Sequence, residues 1–396
     1  MFARLAGISM IERLFVEFLA QDKDLFARVN GIIDPLFFDR ELRKGVEFIQ
    51  EHASGYSALP TREQILAATG IELQELKDVD ERHQKWFIDE FETFCRHKAL
   101  EQAILSSADL LERGDYGPVE GDPVLMVHGL GAQLVHWPPH LIQFLQAHNF
   151  RPITYDNRDV GLSSRFSGTP SFILDYIKYF LRLPINSEYT IDDMAEDGIK
   201  LLEKLNINQA HVIGTSMGGM IAQIISAQYP KKVKSFTLIA STASTPSPMN
   251  APSKPVRDLM LERSKHPNAQ VEDIIKREIK IVSLIGMEGR VVDTPEFREE
   301  TIRNLNRAQD GSGYARQLLS ILASKDRLKK IQKIKAPTLI IHGKDDPMIQ
   351  LKNAYKMHKL IPHSKLKIID NMRHLIEPEI LTQFESDLLD HLRLSS

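Results

Sequence analysis

The feature that most constrains the fold of this chain is an alternation of short apolar runs with longer amphipathic segments over residues 119–396. A strand buried inside a parallel sheet reads as a continuous apolar run, and the return to the next parallel strand needs a crossover, usually a helix. Such runs occur at Val124–Val127, Ile153–Tyr155, His211–Ile213, Ser235–Ile239, Thr338–Ile341 and Leu366–Ile369. The pattern predicts an α/β domain built on a mostly parallel sheet.

Residues 1–118 lack these runs and show helical periodicity instead. Apolar side chains recur at the three- and four-residue steps of one helix face, at Ile8, Ile11, Leu14, Phe15, Phe18 and Leu19. Thr61 and Gln64 form a capping-box pattern, and Gly70 suits a helix end. A long helix is expected from about Asp78 to Arg113, with an apolar face that holds Phe87, Phe91, Phe94 and Cys95. We therefore expect an all-α domain in which Cys95 is a core thiol rather than a nucleophile.

The distribution of charge also divides the chain. Residues 1–118 hold 14 basic and 22 acidic side chains, a net charge of −8, whereas residues 119–396 hold 36 and 31, a net charge of +5. Such an asymmetry often accompanies a domain boundary, and the turn-rich stretch 114–123 supplies a junction. We expect two domains, 1–118 and 119–396. The total of −3 argues against a nucleic-acid binder.

The setting expected for the chain is cytoplasmic. Cys95 is the only cysteine, so an internal disulfide is excluded and a reducing compartment fits best. No apolar run reaches the ~18 residues that a membrane span requires. Charged side chains interrupt the first twenty residues at Arg4, Glu12, Arg13 and Glu17, so no signal peptide is visible and no membrane partner is expected.

The helical domain resembles the N-terminal domain of DnaB-type replicative helicases. The resemblance rests on Phe-Leu-Ala-Gln-Asp-Lys-Asp-Leu-Phe (18–26), Ile-Asp-Pro-Leu-Phe-Phe (33–38), Leu-Pro-Thr-Arg-Glu-Gln (59–64) and the segment 94–105. In that family the domain is a collar for ring assembly and primase docking. The resemblance therefore implies self-association or docking to a replication protein through residues 1–118.

Helicase or ATPase activity is nevertheless not expected. No Gly-x-x-x-x-Gly-Lys-[Ser/Thr] phosphate-binding loop occurs, because the only Gly-Lys, at 343–344, is followed by Asp345. The charge of −8 also argues against direct nucleic-acid binding by this domain, since phosphate contacts require an excess of Lys and Arg.

A candidate nucleophile lies directly after one predicted strand. Gly214-Thr-Ser216-Met-Gly218 follows Ala-His-Val-Ile (210–213) and leads into a helical segment. A sharp strand-to-helix turn holds a serine hydroxyl exposed above a sheet, and the flanking glycines allow the close backbone packing that such a turn needs. The alternative interpretation is a glycine-rich turn without chemistry, which fits the pentapeptide alone better than it fits the pentapeptide in this context.

A serine needs a base, and the base needs a carboxylate to orient it. Asp345 and Asp346 follow the run Thr338–Ile341, and His374 follows the last run. Thirteen other histidines compete for the role of base, and most are expected to be surface or loop residues. His136 and His140 are separated by two prolines, which precludes a helical metal pair.

Oxyanion stabilisation is expected from the loop His128-Gly129-Leu130-Gly131, which closes the first run. The backbone N–H groups of Leu130 and Met217 are the expected donors. His128 is interpreted as a structural residue beneath the loop rather than as a second base.

These residues together resemble the α/β-hydrolase superfamily, in its branch of carboxylesterases and methylesterases. The resemblance extends to Tyr-Asp-Asn-Arg-Asp-Val-Gly-Leu-Ser (155–163) and implies the triad Ser216, Asp346 and His374, with Asp346 selected over Asp345 by the family's Gly-x-x-Asp spacing from Gly343. It also implies a helical lid at about 242–334, no cofactor and no metal. Apolar lid residues would then line an acyl site or simply pack the lid: Met249, Met260, Ile281, Leu284, Ile285 and Met287.

One part of the family pattern is missing from the sequence. Members usually begin with an antiparallel strand pair, and here a helical segment and a short junction stand in its place. Its loss would leave the strand near Ile153 as an exposed edge. The sequence therefore supports two functions: a serine hydrolase that cleaves a small carboxylic ester, or a non-catalytic replisome or oligomerisation module with a truncated, inactive hydrolase part.

Overall fold

The structure is a computed structural model that describes residues 2–77, 79–112, 121–166, 175, 178, 179, 181, 183, 185–245, 247, 250–266, 269–307, 311–325 and 327–394. The chain divides into two compact units, Met1–Gln102 and Ala103–Ser396. This division falls within a helix rather than at the junction expected from the sequence, and residues 113–120 of that junction lie outside the described residues.

The N-terminal unit is helical, and the described residues include no strand. Its helices are α1 (Phe2–Gln21), α2 (Lys23–Val29), α3 (Arg40–Tyr56), α4 (Arg62–Thr69) and α5 (Glu81–Glu112), the last of which continues past the end of the unit. The predicted capping box is present, because Gln64 N–H donates to Thr61 Oγ1 at 3.3 Å and Thr61 N–H donates to Gln64 Oε1 at 2.8 Å. Gly70 ends α4 with φ of 75°, a conformation that favours glycine.

Aromatic side chains of α1 and α5 form the centre of this unit. Phe87 and Phe91 stack with ring centroids 4.9 Å apart, and Phe15 meets Phe91 edge to face at 5.2 Å. Cys95 lies in the same core, and burial raises the pKa of its thiol to about 12. The expectation of a core thiol is therefore confirmed.

The second unit contains a sheet of six parallel strands. The strands are β1 (Asp122–Val127), β2 (Phe150–Thr154), β3 (Ala210–Thr215), β4 (Val233–Ile239), β5 (Thr338–Gly343) and β6 (Ser364–Ile369), in the order β2-β1-β3-β4-β5-β6. All neighbouring pairs are parallel, and each strand contains or overlaps one predicted apolar run. The prediction of an α/β fold with a mostly parallel sheet is confirmed.

Helices follow or precede the strands throughout this unit. They are α6 (Pro139–Ala147), α7 (Ile191–Lys204), α8 (Met217–Gln228), α14 (Lys352–Leu360), α15 (Pro378–Leu381) and α16 (Glu385–Arg393). A block of further helices is inserted between β4 and β5: α9 (Lys254–Lys265), α10 (Val271–Ile285), α11 (Pro295–Arg307), α12 (Gly313–Ala323) and α13 (Leu328–Ile331). We refer to α9–α13 as the inserted helices. None of the described helices combines the length and apolar character that crossing a membrane requires.

The register of the sheet aligns the carboxyl ends of its strands. Val127 pairs with Gly214, Thr215 with Ile239, and Gly343 with Ile369. Residues that directly follow β1, β3, β5 and β6 are therefore brought to one edge, where ligand sites of open α/β sheets form.

Strand β2 lies at one end of the strand order, and within the described residues it pairs with β1 alone. Phe150, Ile153 and Thr154 are nevertheless buried. The expected absence of a preceding strand pair stays a prediction, because most of the junction ahead of β1 lies outside the described residues.

Candidate active site

Ser216 occupies a strained turn between β3 and α8. Its φ of 54° and ψ of −121° are unusual for a residue other than glycine, and such strain persists only where the surroundings hold it. Ser216 N–H donates to Ile239 C=O at 3.0 Å, and Ser241 Oγ donates to Ser216 C=O at 2.6 Å. Both backbone polar groups of the turn are thus held by the neighbouring strand and the residues after it.

The glycines around Ser216 are required by close packing. A Cβ on Gly218 would lie 1.9 Å from Val127 C=O, and one on Gly214 would lie 2.5 Å from Gly218 C=O. Any side chain at either position would push α8 away from β1 or from β3. The two glycines therefore set the sharpness of the turn.

The loop after β1 runs directly against Ser216. A Cβ on Gly129 would lie 3.1 Å from Ser216 Cβ and 3.7 Å from its Oγ. Leu130 is the next residue, and Met217 begins α8, so that its N–H belongs to the first turn and has no partner inside the helix. These are the two backbone groups that the sequence predicts as oxyanion donors.

His128 supports this loop through its neutral ring. Its Nδ1 accepts a hydrogen bond from Gly129 N–H at 2.7 Å, and Asn157 Nδ2 donates to its C=O at 3.1 Å. Burial of the ring lowers the pKa of His128 to about 3, with a smaller contribution from nearby His136. The ring is therefore neutral at physiological pH, which suits a structural role.

His374 and Asp346 form a buried pair at the ends of β6 and β5. His374 Nδ1 lies 2.7 Å from Asp346 Oδ2, and the other carboxylate oxygen accepts hydrogen bonds from the N–H groups of Met348 at 2.8 Å and Ile349 at 2.9 Å. His374 N–H in turn donates to Ile285 C=O at 2.8 Å. Asp345, by contrast, is exposed.

The structure also places a residue here that sequence reasoning missed. His342, the penultimate residue of β5, is fully buried with Nε2 3.7 Å from Asp346 Oδ2 and 2.7 Å from Ile349 C=O. Burial lowers the pKa of His342, so it is a neutral neighbour of the carboxylate. Nothing in its spacing distinguishes it from an ordinary strand residue.

Three of the other histidines are exceptions to the expectation that most of them are surface or loop residues. His211, His342 and His391 are buried, and each has a polar partner. His211, for example, lies 2.8 Å from Ser235 Oγ and 3.1 Å from Asp122 Oδ2. A buried imidazole is tolerated where its nitrogens are hydrogen-bonded, and this depends on contacts that are distant in sequence.

Among the residues that the structure describes, no group of three or more His, Cys, Asp or Glu side chains is arranged so that it could hold a metal ion. His136 and His140 lie in different elements, as the two prolines between them require. Of the apolar residues that were candidates for an acyl site, Ile285 contacts the His374 backbone, and Met249 lies outside the described residues.

The chain is similar to known proteins over most of the α/β unit. Residues 122–377 match the family described as alpha/beta hydrolase fold. Rhodomycin D methylesterase of a Streptomyces strain is 23% identical over 293 residues, which cover 69% of this chain and 92% of the relative. 3-Oxoadipate enol-lactonase 2 of Acinetobacter baylyi is 25% identical over 260 residues, 66% of this chain and 85% of the relative.

A solved structure of a hydrolase from Pseudomonas aeruginosa superimposes with a TM-score of 0.53 at 20% identity. The superposition covers 70% of this chain and 91% of that one. At this level of identity the likeness concerns the fold alone.

Proposed function

The chain belongs to the α/β-hydrolase fold family and is a hydrolase, and we propose that it cleaves a small carboxylic ester through a Ser216–His374–Asp346 triad. The observation that carries the proposal is the buried 2.7 Å contact between His374 Nδ1 and Asp346 Oδ2 in the unit whose β3–α8 turn presents Ser216. The serine supplies the nucleophile, and the pair supplies an oriented base.

The first half-reaction transfers the acyl group to the enzyme. Asp346 Oδ2 accepts a hydrogen bond from the N–H at His374 Nδ1, which leaves the Nε2 lone pair as the base. Ser216 Oγ then attacks the ester carbonyl carbon while His374 Nε2 takes its proton, and the carbonyl oxygen becomes an oxyanion held by Leu130 and Met217 N–H. Collapse of this intermediate breaks the ester C–O bond, and His374 returns the proton to the departing alcohol.

The second half-reaction regenerates the enzyme. A water molecule loses its proton to His374 and attacks the acyl carbon, and the same two N–H groups hold the second oxyanion. When the bond to Ser216 Oγ breaks, His374 protonates the serine and the carboxylic acid leaves. Each proton taken is returned, so these steps require no metal or redox cofactor.

An ester substrate is supported by the relatives, whose names are those of a methylesterase and an enol-lactonase. Both names describe cleavage of an acyl C–O bond, one in an open ester and one in a cyclic ester. We propose the same bond class here, in a small molecule.

We further propose that the inserted helices are the lid over this site. Two hydrogen bonds support the placement: Ile285 C=O at the end of α10 accepts from His374 N–H at 2.8 Å, and Gln317 Oε1 of α12 accepts from Gly131 N–H at 2.8 Å. The inserted helices therefore contact both the base and the oxyanion loop.

The helicase-like character of residues 1–118 and their self-association remain predictions. Light scattering of the full chain at tens of micromolar tests the second. A dimer or larger species is the expected result, and a monomeric full chain would contradict it.

The proposed activity is tested with esters of graded acyl length, comparing the wild type with Ser216→Ala. We expect hydrolysis by the wild type and a loss on the order of 10⁴-fold or more in the variant. Ser226→Ala is a matched control, since Ser226 is a fully buried serine of α8 outside the proposed triad, and it should retain turnover. Equal hydrolysis by all three proteins would contradict the proposed nucleophile, and no hydrolysis by the wild type would favour the non-catalytic module.

A further inference from the structure

The stretch Tyr155–Ser163, for which the proposed reaction has no step, holds the inserted helices. Arg307 at the end of α11 pairs with Asp156 at 2.7 Å, and Arg316 of α12 pairs with Asp159 at 2.8 Å. The carboxylates and Arg316 are buried. Buried ion pairs fix geometry because breaking either pair leaves an uncompensated charge.

The start of α12 lies against the same stretch without any intervening side chain. A Cβ on Gly313 would lie 1.9 Å from Asp159 C=O and 2.7 Å from Asp159 Cβ. Helix α12 can therefore occupy this position only with glycine at its first residue. The ion pairs and this close approach together fix the register of α12.

Gln317 lies one turn further along α12 and is fully buried. Its Oε1 accepts a hydrogen bond from Gly131 N–H at 2.8 Å, and its Nε2 donates to Arg158 C=O at 2.6 Å. One carboxamide thus links the oxyanion loop to the stretch that holds α12.

The oxyanion loop needs such a link because its glycines restrain its backbone conformation only weakly. Leu130 stands between Gly129 and Gly131, and Gly131 has φ of 68°. Gly129 N–H is held by His128 Nδ1 at 2.7 Å on one side of Leu130, and Gly131 N–H is held by Gln317 on the other. Without the second contact, the turn hydrogen bond from Ala132 N–H to Gly129 C=O at 3.2 Å is left to hold the peptide groups beside Leu130, since glycine adds little restraint.

We infer that Gln317 is a positioning residue that fixes the oxyanion loop through Gly131, so that the inserted helices contribute to stabilisation of the transition state. This inference rests on the proposed function, because it assigns a role in holding the Leu130 N–H. A donor displaced from the oxyanion loses stabilisation in the transition state while ground-state substrate binding changes little.

The test replaces Gln317 by leucine, which keeps the volume and removes both hydrogen bonds. We expect kcat to fall roughly 10- to 100-fold with KM within about threefold, less than the 10²- to 10³-fold cost of losing a donor outright. Affinity for a trifluoromethyl ketone should fall by the same factor as kcat, because its adduct with Ser216 places an oxyanion in the loop. Gln223→Leu is the matched control: Gln223 is equally buried, bonds Thr242 and Arg327, and should lose stability with kcat nearly unchanged.

A second variant, Gln317→Glu, keeps the test decisive if the leucine variant folds poorly. A protonated carboxyl can reproduce both hydrogen bonds, whereas the carboxylate repels Arg158 C=O, which accepts from Gln317 Nε2 at 2.6 Å in the wild type. The ratio of its kcat to that of the wild type should therefore rise as the pH falls, and dividing by the wild type removes the pH dependence that the two proteins share.

The outcomes separate the two claims. A wild type that neither hydrolyses esters nor binds the ketone refutes the proposed function. A wild type that does both, with Gln317→Leu keeping kcat within about threefold or losing only KM, refutes the role of Gln317. A flat pH ratio for Gln317→Glu would also overturn it.

Discussion

The two compact units of this chain bury different kinds of side chain. The described core of the N-terminal unit is apolar and rich in phenylalanine, with Phe15, Phe18, Phe26, Phe37, Phe38, Phe87 and Phe91 enclosed among aliphatic side chains. Its buried polar side chains, among those described, are Glu12 and Glu17, which accept hydrogen bonds from Asp39 N–H at 2.7 Å and Gln74 N–H at 3.0 Å. The α/β unit instead encloses ionisable groups of both signs, among them Asp159, Arg316, Asp346, His374 and His391.

The two kinds of buried side chain contribute differently: apolar ones stabilise the fold, whereas ionisable ones fix the geometry of their surroundings. Burying a phenylalanine contributes about 1.5–3 kcal/mol and does not depend on direction. A buried ionisable group costs free energy unless its partners are in place, so each one fixes the geometry around it. In the α/β unit several such groups lie at the carboxyl edge of the sheet, where the proposed site is built.

The largest effect is expected from the base. His374→Ala should reduce ester turnover on the order of 10⁴-fold or more, because Ser216 is then left without a proton acceptor. Steady-state kinetics on one ester measures this, with circular dichroism to show that the fold is kept. Turnover within tenfold of the wild type would show that the buried pair of His374 and Asp346 is not catalytic.

The two adjacent aspartates should differ in the next largest effect. Asp346→Asn should still reduce ester turnover severely, although the loss should be roughly 10- to 100-fold smaller than that in His374→Ala. An uncharged amide is a weaker acceptor than a carboxylate for the hydrogen bond from His374 Nδ1–H. Asp345→Asn, at an exposed position, should leave kcat nearly unchanged. Comparable losses at the two positions would contradict the assignment.

The sequence was sufficient to predict the sheet and the turn at Ser216, because both leave local signals, whereas Asp346 and His374 were assigned by the family resemblance and stay a proposal. Continuous apolar runs mark the buried strands, and the turn that presents Ser216 is encoded by Gly214 and Gly218 directly beside it. The buried surroundings of Asp346 and Gly131 could not be predicted, since His342 and Gln317 carry no local signal. Gln317 is 186 residues from Gly131 along the chain, and only the folded structure brings them together.

The thiol of Cys95 and a thiol introduced at position 216 should differ in their rate of reaction with a thiol reagent by roughly 100-fold or more. Cys95 is 3% exposed, and burial raises its pKa to about 12, so the thiolate is scarce at pH 8. Ellman's reagent should therefore react slowly with the native full chain and rapidly in urea. A thiol introduced by Ser216→Cys should react quickly in the native state, and rapid native labelling of Cys95 in the wild type would contradict the account.

The smallest effect is a difference in acid stability between the units. The pKa of His391 is lowered to about 4 and that of His128 to about 3, in both cases chiefly by burial. A histidine with a depressed folded-state pKa stabilises the fold above its unfolded value near 6.5, and this stability is lost as the pH falls below it. The α/β unit should therefore lose stability between pH 6.5 and about 4, whereas none of the histidines whose side chains are described in the N-terminal unit is buried.

The two tryptophans allow each unit to be followed within the full chain, because Trp86 lies in the N-terminal unit and Trp137 in the α/β unit. Urea unfolding of the Trp86→Phe variant reports Trp137, and that of Trp137→Phe reports Trp86. We expect the midpoint reported by Trp137 to fall more on acidification. Equal shifts would show that the buried histidines do not distinguish the units.

The central claim is that Ser216 is a nucleophile activated by His374, and an alkyl fluorophosphonate tests it most directly. Attack by Ser216 Oγ forms a phosphonyl ester, fluoride leaves and His374 takes the proton. We expect one label per chain, located by mass spectrometry on the peptide that contains Ser216, absent in Ser216→Ala and greatly slowed in His374→Ala. No label on the wild type, or equal labelling of Ser216→Ala, would contradict the account.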